Sequence, residues 1–213
     1  MKIILIGYPC SGKGTQAQLI SKKYNIPNIS TGDLIRSKIL KNSIKNKKLN
    51  DKLKSGELIS DKKIISLVKN RLKKKDCLNG YILDGLPRTL NQAKLMNKNK
   101  IKIDYIIEIS VSKKNILKRA LGRKIHIPSG RIYHKIYNPP LIKNIDNITG
   151  EKLVKRKDDN KYTIEKRLNQ YDSVKKKIFK YYKNKQINIK YFKIDGNKKL
   201  KKITNSIKKI LKK

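Results

Sequence analysis

The chain has 213 residues, 37% of them hydrophobic, enough to bury one good core with inserted lobes. Its formal charge of +41 rests on 56 lysines and arginines against 15 acids. That balance admits two readings, a binder of nucleic acid or another anionic surface, and compositional drift toward A/T-rich codons that leaves a solvated basic surface. Cys10 and Cys77 are the only cysteines, so a disulfide framework is excluded and a reducing compartment is expected. No stretch approaches the length of a membrane span, and the N-terminal apolar run is too short for a signal peptide. A soluble, cytoplasmic protein is expected.

In chain order, Ile3–Ile6 is a short apolar run that stops at Gly7, and the loop GYPCSGKGT leads into a helical pattern near Lys13. Ile26–Ile29 reads as a strand ending in Ser30, Thr31, Gly32 and Asp33. Helical patterns follow from about Leu34 to Leu53, broken near Asn42, and Gly56–Ser60 is a turn. Asp61 reads as the N-cap of a helix through Lys75. Tyr81–Leu83 is a buried-strand candidate, Thr89 starts the next helix, and Asp104–Val111 is the longest β-branched run. Ser112 caps a helix to Leu121.

From Gly122 to Asp159 the helical period disappears, glycine and proline gather, and pieces such as Arg131–Ile136 look like strands, which marks a small inserted lobe. A long helix follows over about Asn160–Asn184, with Ile164, Leu168, Tyr171, Val174, Ile178 and Tyr181 at helical spacing. Lys190–Ile194 is a last strand, and about Lys198–Leu211 a terminal helix. Strands alternating with helices predict an α/β, doubly wound parallel sheet.

The loop at Gly7–Thr15 carries the first chemical signal. Strand, glycine-punctuated turn and helix N-terminus direct consecutive backbone N–H groups and the helix dipole at an anion, with Lys13 to reach terminal phosphates. The common pattern has Ser or Thr directly after the lysine; here Gly14 intervenes before Thr15. In open α/β sheets ligands sit at the carboxyl ends of strands, which puts this loop, Thr31–Asp33 and Asp84–Arg88 on one edge. Asp84, directly ending a strand, is a candidate for organising Mg²⁺ waters.

Arginine usage is a second signal. Only eight of the 56 basic residues are arginine, at positions 36, 71, 88, 119, 123, 131, 156 and 167. In a chain whose default cation is lysine, each arginine marks a place where a planar fork matters, bidentate phosphate contact being the usual reason. Arg119 and Arg123 are four apart and are expected on one helical face.

With these motifs in order, the chain resembles the bacterial adenylate kinases of the long-lid type from Met1 to about Gly196. The resemblance rests on GYPCSGKGTQ, ISTGDLIR, LDGLPRT, Gly122–Arg123, HIPSGRIYH, RKDD at Arg156–Asp159 and the Arg167 helix. It implies a five-stranded sheet of the P-loop NTPase type. The core would be residues 1–29, 60–121 and 160–213, the nucleoside-monophosphate lobe 30–59 and the lid 122–159. The implied reaction is ATP + AMP ⇌ 2 ADP with Mg²⁺.

By position, the resemblance assigns Cys10, Ser11, Gly12, Lys13, Gly14 and Thr15 to the ATP phosphates. Arg119, Arg123, Ile132, Tyr133 and Lys198 match the remaining ATP and lid contacts. Thr31, Arg36, Glu57, Leu58, Ile59, Gly85, Leu86, Pro87, Arg88 and Gln92 match the AMP site. Arg156 and Arg167 would span both phosphate chains, and Asp158 and Asp159 resemble the lid's acidic pair. Catalytic roles would fall on Lys13, Arg88, Arg123, Arg156, Arg167, Asp158 and Asp159.

Cys10 stands where the family usually has glycine, and Leu86 where it has phenylalanine. Some family lids hold zinc on four cysteines, whose positions here read His126, Ser129, Asp146 and Thr149. That set is poor for zinc, so a hydrogen-bonded substitute and no structural metal are expected. ATP, AMP and ADP are the implied partners, with no membrane and no specific nucleic acid, and the family default is a monomer. A UMP/CMP kinase of the same superfamily is the rival enzyme, and a polyanion-binding protein the rival of another class.

Overall fold

The computed structural model of the chain describes residues 1–41, 59–156, 158–184 and 189–212. Its main sheet is five-stranded and all parallel: β1 (Lys2–Ile6), β2 (Asn28–Ser30), β3 (Tyr81–Asp84), β4 (Tyr105–Ser110) and, after a small hairpin, β7 (Lys190–Asp195). The order is β2-β3-β1-β4-β7. β1 and β3, neighbours at the centre, are followed by strands on opposite sides, β2 and β4 respectively. That arrangement makes the crevice at their carboxyl ends the expected ligand site.

Around the sheet lie α1 (Lys13–Tyr24), α2 (Thr31–Lys41), α3 (Asp61–Leu72), α4 (Leu90–Lys98), α5 (Lys113–Leu121), α6 (Lys161–Asn184) and α7 (Leu200–Leu211). Ile3–Ile6 is apolar at every position because both faces of a parallel sheet are covered. Alternate residues feed two cores. Ile3, Leu5, Ile82 and Ile107 pack with α1, α5, α6 and α7, while Ile4, Ile6, Leu83 and Ile106 pack with α3 and α4. α6 serves both, through Ile164 and Leu168 on one side and Phe179 and Tyr182 on the other. No helix among the described residues is long and apolar enough to cross a membrane.

Within 122–159, the segment expected as a lid and called the lid hereafter, β5 (Arg123–Ile125) pairs antiparallel with β6 (Ile132–His134), extended by bridges from Ile125 to Val154 and Ile145 to Lys152.

Local chemistry explains the boundaries. Thr89 and Ser112 cap α4 and α5, their hydroxyls accepting the N–H groups of Gln92 and Asn115. Asn160 does the same for α6 through Thr163. Four expectations shift. α2 starts at Thr31 itself, because Ser30 takes the Asp33 N–H at 3.3 Å. Ser60, not Asp61, occupies the cap position of α3, and Asp61 instead accepts hydrogen bonds from Thr89 and Asn91. α3 stops at Leu72, before a short 3-10 turn at Lys75–Cys77. Arg119 and Arg123 do not share a helical face, because α5 closes at Gly122 and Arg123 opens β5. The helix expected to reach Leu53 and the turn opening at Gly56 lie largely outside the described residues.

Candidate active site

The phosphate loop leaves β1 at Gly7, whose φ of +144° puts any Cβ 2.5 Å from the Ile109 carbonyl oxygen, so only glycine fits. Cys10 holds φ at 57°, a left-handed conformation that costs a side-chain-bearing residue about 1 kcal/mol. The loop thus keeps the shape a glycine would favour although the side chain differs. Gly12 caps α1, whose first turn carries no acid, leaving the dipole end open to an anion.

The Lys13 ammonium donates to the Gly7 and Tyr8 carbonyls at 3.1 and 2.7 Å. Burial lowers its pKa, and Asp84 opposes the shift. Asp84 ends β3 in register with Leu5 and Ser30, and one of its oxygens lies 3.3 Å from where a Gly14 Cβ would stand. Burial raises its pKa against the pull of Lys13 and Arg88.

Beside this loop a second group is drawn together around Gly85. Its carbonyl accepts Thr31 Oγ1 at 3.2 Å and Arg88 Nε at 2.9 Å. The buried Gln92 side chain accepts the Arg88 N–H at 2.6 Å. With φ at +78°, a Gly85 Cβ would stand 2.9 Å from the Arg88 guanidinium, so glycine gives the arginine its room. Leu86, joined to Pro87 by a cis peptide, is wholly buried, and Ile59 also belongs to the core. Arg36 lies on α2; Glu57 and Leu58 fall outside the described residues.

The segment expected as the lid borders the third side. Gln18 on α1 donates to the Gly130 carbonyl at 3.2 Å, and Ile132 Cδ1 lies 3.6 Å from the Cβ position of Gly14. Arg123 forks onto buried Asp159 at 2.7 and 2.5 Å. Arg167 from α6 donates to Asp158 at 2.7 Å. Burial would raise the Asp158 pKa, but Arg167 outweighs it and holds the carboxyl below its ordinary value. The Arg156 charge acts on Cys10, Asp84 and Asp158, which sets it in the same crevice. Arg119 ties the Ser11 carbonyl at 3.2 Å to the Gly196 carbonyl at 2.8 Å, and Lys198 is exposed just beyond. Among the described residues, Lys13 and the arginines at 88, 119, 123, 156 and 167 face Asp84, Asp158 and Asp159, with Asp33 acting on Asp84 and Asp195 on Arg119, so the cations still outnumber the carboxylates, a surplus suited to polyphosphate.

Tyr133 is drawn inward instead. Its hydroxyl donates to Asp146 at 2.9 Å and accepts the Asn147 N–H. Asp146 also takes a bidentate fork from Arg131 at 2.8 and 2.6 Å and a hydrogen bond from Thr149 at 3.0 Å. His126 hydrogen-bonds Ser129 at 2.7 Å and also contacts Glu151. Positions 126, 129, 146 and 149 are therefore joined through hydrogen bonds.

Two of the eight arginines do not serve as phosphate forks: Arg131 and Arg71 fork onto carboxylates, Asp146 and Asp76, and not into the crevice. Sequence alone also gave no hint of Tyr8 or Tyr137. Tyr137 packs on Arg119 at 5.5 Å, and only the fold shows that proximity.

Among the described residues no group of three or more His, Cys, Asp or Glu side chains is arranged to hold a metal. Asp84 offers a hard oxygen next to the loop, a donor that fits a Mg²⁺ carried mainly by phosphates and water.

Comparison with known proteins agrees with this geometry. The adenylate kinase family model matches residues 5–187. The adenylate kinase of Buchnera aphidicola subsp. Acyrthosiphon pisum is 48% identical, covering all of both chains. That of Photorhabdus laumondii is 45% identical over 99% of this chain and all of its own. The enzyme of Francisella tularensis subsp. holarctica is 45% identical over 97% of each. A phosphate loop and an arginine-lined crevice in one doubly wound sheet, with relatives matched along the whole chain, make this protein a phosphotransferase of the adenylate kinase family.

Proposed function

We propose that the residues gathered at this edge carry out ATP + AMP ⇌ 2 ADP in the following roles. Backbone N–H groups of Cys10–Thr15 and the α1 dipole hold the ATP phosphates, and Lys13 follows the transferred group. Arg119, Ile132 and Tyr133 make the remaining ATP and lid contacts, and the backbone at Lys198 faces the adenine. Thr31, Arg36, Glu57–Ile59, Gly85–Arg88 and Gln92 take AMP. Arg88, Arg123, Arg156 and Arg167 converge on the phosphoryl group, whose loose transition state spreads charge over its equatorial oxygens. Asp158 and Asp159 hold Arg167 and Arg123 in orientation.

The acceptor is a phosphate already ionised at neutral pH, so no strong general base is needed. Mg²⁺ bound with ATP supplies charge neutralisation across the β- and γ-phosphates, and Asp84 would hold it through water. Closure of the lid over the loop excludes water, the competing acceptor. We further propose that residues 30–59 and 122–159 act as the moving lobes, that the lid needs no zinc, and that the enzyme is a cytoplasmic monomer.

The observation that carries this reading is the cation surplus around Lys13 and Asp84 in the crevice between β1 and β3. The test is ADP formation from ATP and Mg²⁺ with AMP, CMP, UMP and GMP offered separately. AMP-selective turnover is expected; a preference for CMP or UMP would move the acceptor assignment to the sister enzymes.

A further inference from the structure

Tyr8 is the aromatic side chain of the phosphate loop, and none of the roles above uses it. Its ring packs on Tyr171 of α6, centroids 4.9 Å apart and tilted 59°. Its hydroxyl donates to Asp172, whose other oxygen takes Lys113 at the start of α5 at 2.6 Å. One turn further along α6, Lys175 lies 5.9 Å from the Tyr171 ring centroid and reaches the buried Glu108 of β4 at 2.7 Å. Tyr191 of β7 donates to the second Glu108 oxygen at 2.5 Å. These contacts fasten the loop to α6, and α6 to the sheet.

Two geometric facts give this brace a consequence. The backbone carbonyl of Tyr8 is the acceptor that holds Lys13 at 2.7 Å. Arg167 precedes Tyr171 by four residues and so lies on the same face of α6. One residue therefore holds the Lys13 ammonium by its backbone and the Arg167 helix by its side chain.

We infer that Tyr8 is a positioning residue of the reaction, fixing the loop lysine relative to the Arg167 guanidinium across the transferred phosphoryl group. The inference rests on the roles proposed above for Lys13 and Arg167. Burial and Asp172 push the phenol up to about 12, so the hydroxyl stays a donor at every working pH. A cavity of 610 Å³ opens beside the brace, lined in part by Lys113, Lys175 and Lys193. It is not read as an anion site, because Asp172 and Glu108 pair with the first two lysines and Asp195 lines the same wall.

The test compares Tyr8→Phe, Asp172→Ala, their double variant, Tyr8→Leu and Arg167→Lys in kcat, in KM for each nucleotide, and in thermal midpoint. Displacing a reacting group by about 1 Å costs up to about 10²-fold in rate. Tyr8→Leu is therefore expected to approach a 10²-fold loss in kcat, and Tyr8→Phe about tenfold. KM should stay within about twofold and the midpoint should not move with kcat, since misplacement acts on the transition state. Asp172→Ala also removes the Lys113 pair, so the double variant should lose no more than Asp172→Ala alone, the Tyr8 hydrogen bond being already absent there. Unchanged kcat in Tyr8→Leu, additive losses in the double variant, or a kcat loss that tracks unfolding would each overturn the inference. Unchanged kcat in Arg167→Lys would instead remove the underlying role assignment, so the two failures read differently.

Discussion

The lid interior and the phosphate edge are built from the same kinds of side chain, arginine, aspartate and buried hydroxyls, yet they end in opposite electrostatic states. In the lid, Asp146 is matched by the Arg131 fork, Tyr133, Thr149 and the Ile148 and Thr149 N–H groups. At the edge, Lys13 and Arg119 rest on backbone carbonyls, and cations outnumber carboxylates. A closed network holds a shape, because any buried member left alone carries a desolvation cost. An unbalanced one holds a ligand, because the missing charge is the substrate's.

The sharpest way to break that comparison is Arg88→Lys. A lysine keeps the charge but loses the planar fork, and arginines that stabilise phosphoryl transfer are worth about 10³-fold or more in kcat. We expect about a 10³-fold fall in ADP formation with an unchanged thermal midpoint. Loss of stability in step with activity would mean that Arg88 belongs to the lid's type of arginine.

Next in size is Arg131→Met, which leaves Asp146 buried without its main partner. Removing one partner leaves the carboxylate uncompensated, and the loss should appear as lost hydrogen-exchange protection in the lid. Residual activity should exceed that of Arg88→Lys. A variant that retains lid protection but loses transfer would place Arg131 in the crevice after all.

These two arginines also mark how far sequence reasoning reached. Ile3–Ile6, the loop after Gly7, and the Thr89 and Ser112 caps were legible because the signal is local. Periodicity and capping involve residues within a turn of one another. The resemblance assigned Arg88, Arg119 and Arg123 to the site, and the fold gathers them. What failed was tertiary. Asp61 resembles a cap until Thr89 and Asn91, about 30 residues on, claim it. Arg131 resembles a phosphate ligand until the lid brings Asp146 beneath it. Tyr8 has no local signal at all, since its partner Asp172 lies 164 residues away.

A pH series sharpens the contrast further. Arg131, against the desolvation that burial brings, holds the Asp146 carboxyl well below its ordinary value, with the Thr149 and Ile148 N–H groups and Tyr133 helping. A carboxyl depressed in the folded state contributes stability above its unfolded pKa of about 3.9. That contribution is lost as pH falls through the folded value. Lid protection at the Ile148 and Thr149 amides should therefore stay flat down to about pH 4. In Arg131→Met the carboxyl titrates closer to its ordinary range, so the acid loss should be smaller and should finish at higher pH. Identical acid limbs in the two proteins would disconnect Asp146 from lid stability.

The smallest expected effect concerns the seam between the two regions. Gln18 donates one exposed hydrogen bond to the Gly130 carbonyl at 3.2 Å. Such a bond contributes about 0.5 kcal/mol, so Gln18→Ala should shift lid closure roughly twofold. Because product release in lidded enzymes often waits for opening, KM for ATP should rise about twofold while kcat holds or increases slightly. Steady-state kinetics with ATP varied at saturating AMP would read this directly. A tenfold rise in KM would mean that this single contact closes the lid. A small rise leaves closure to the nucleotide, whose phosphates add negative charge to a crevice where cations outnumber carboxylates, while Asp146 already supplies it to Arg131 in the lid interior.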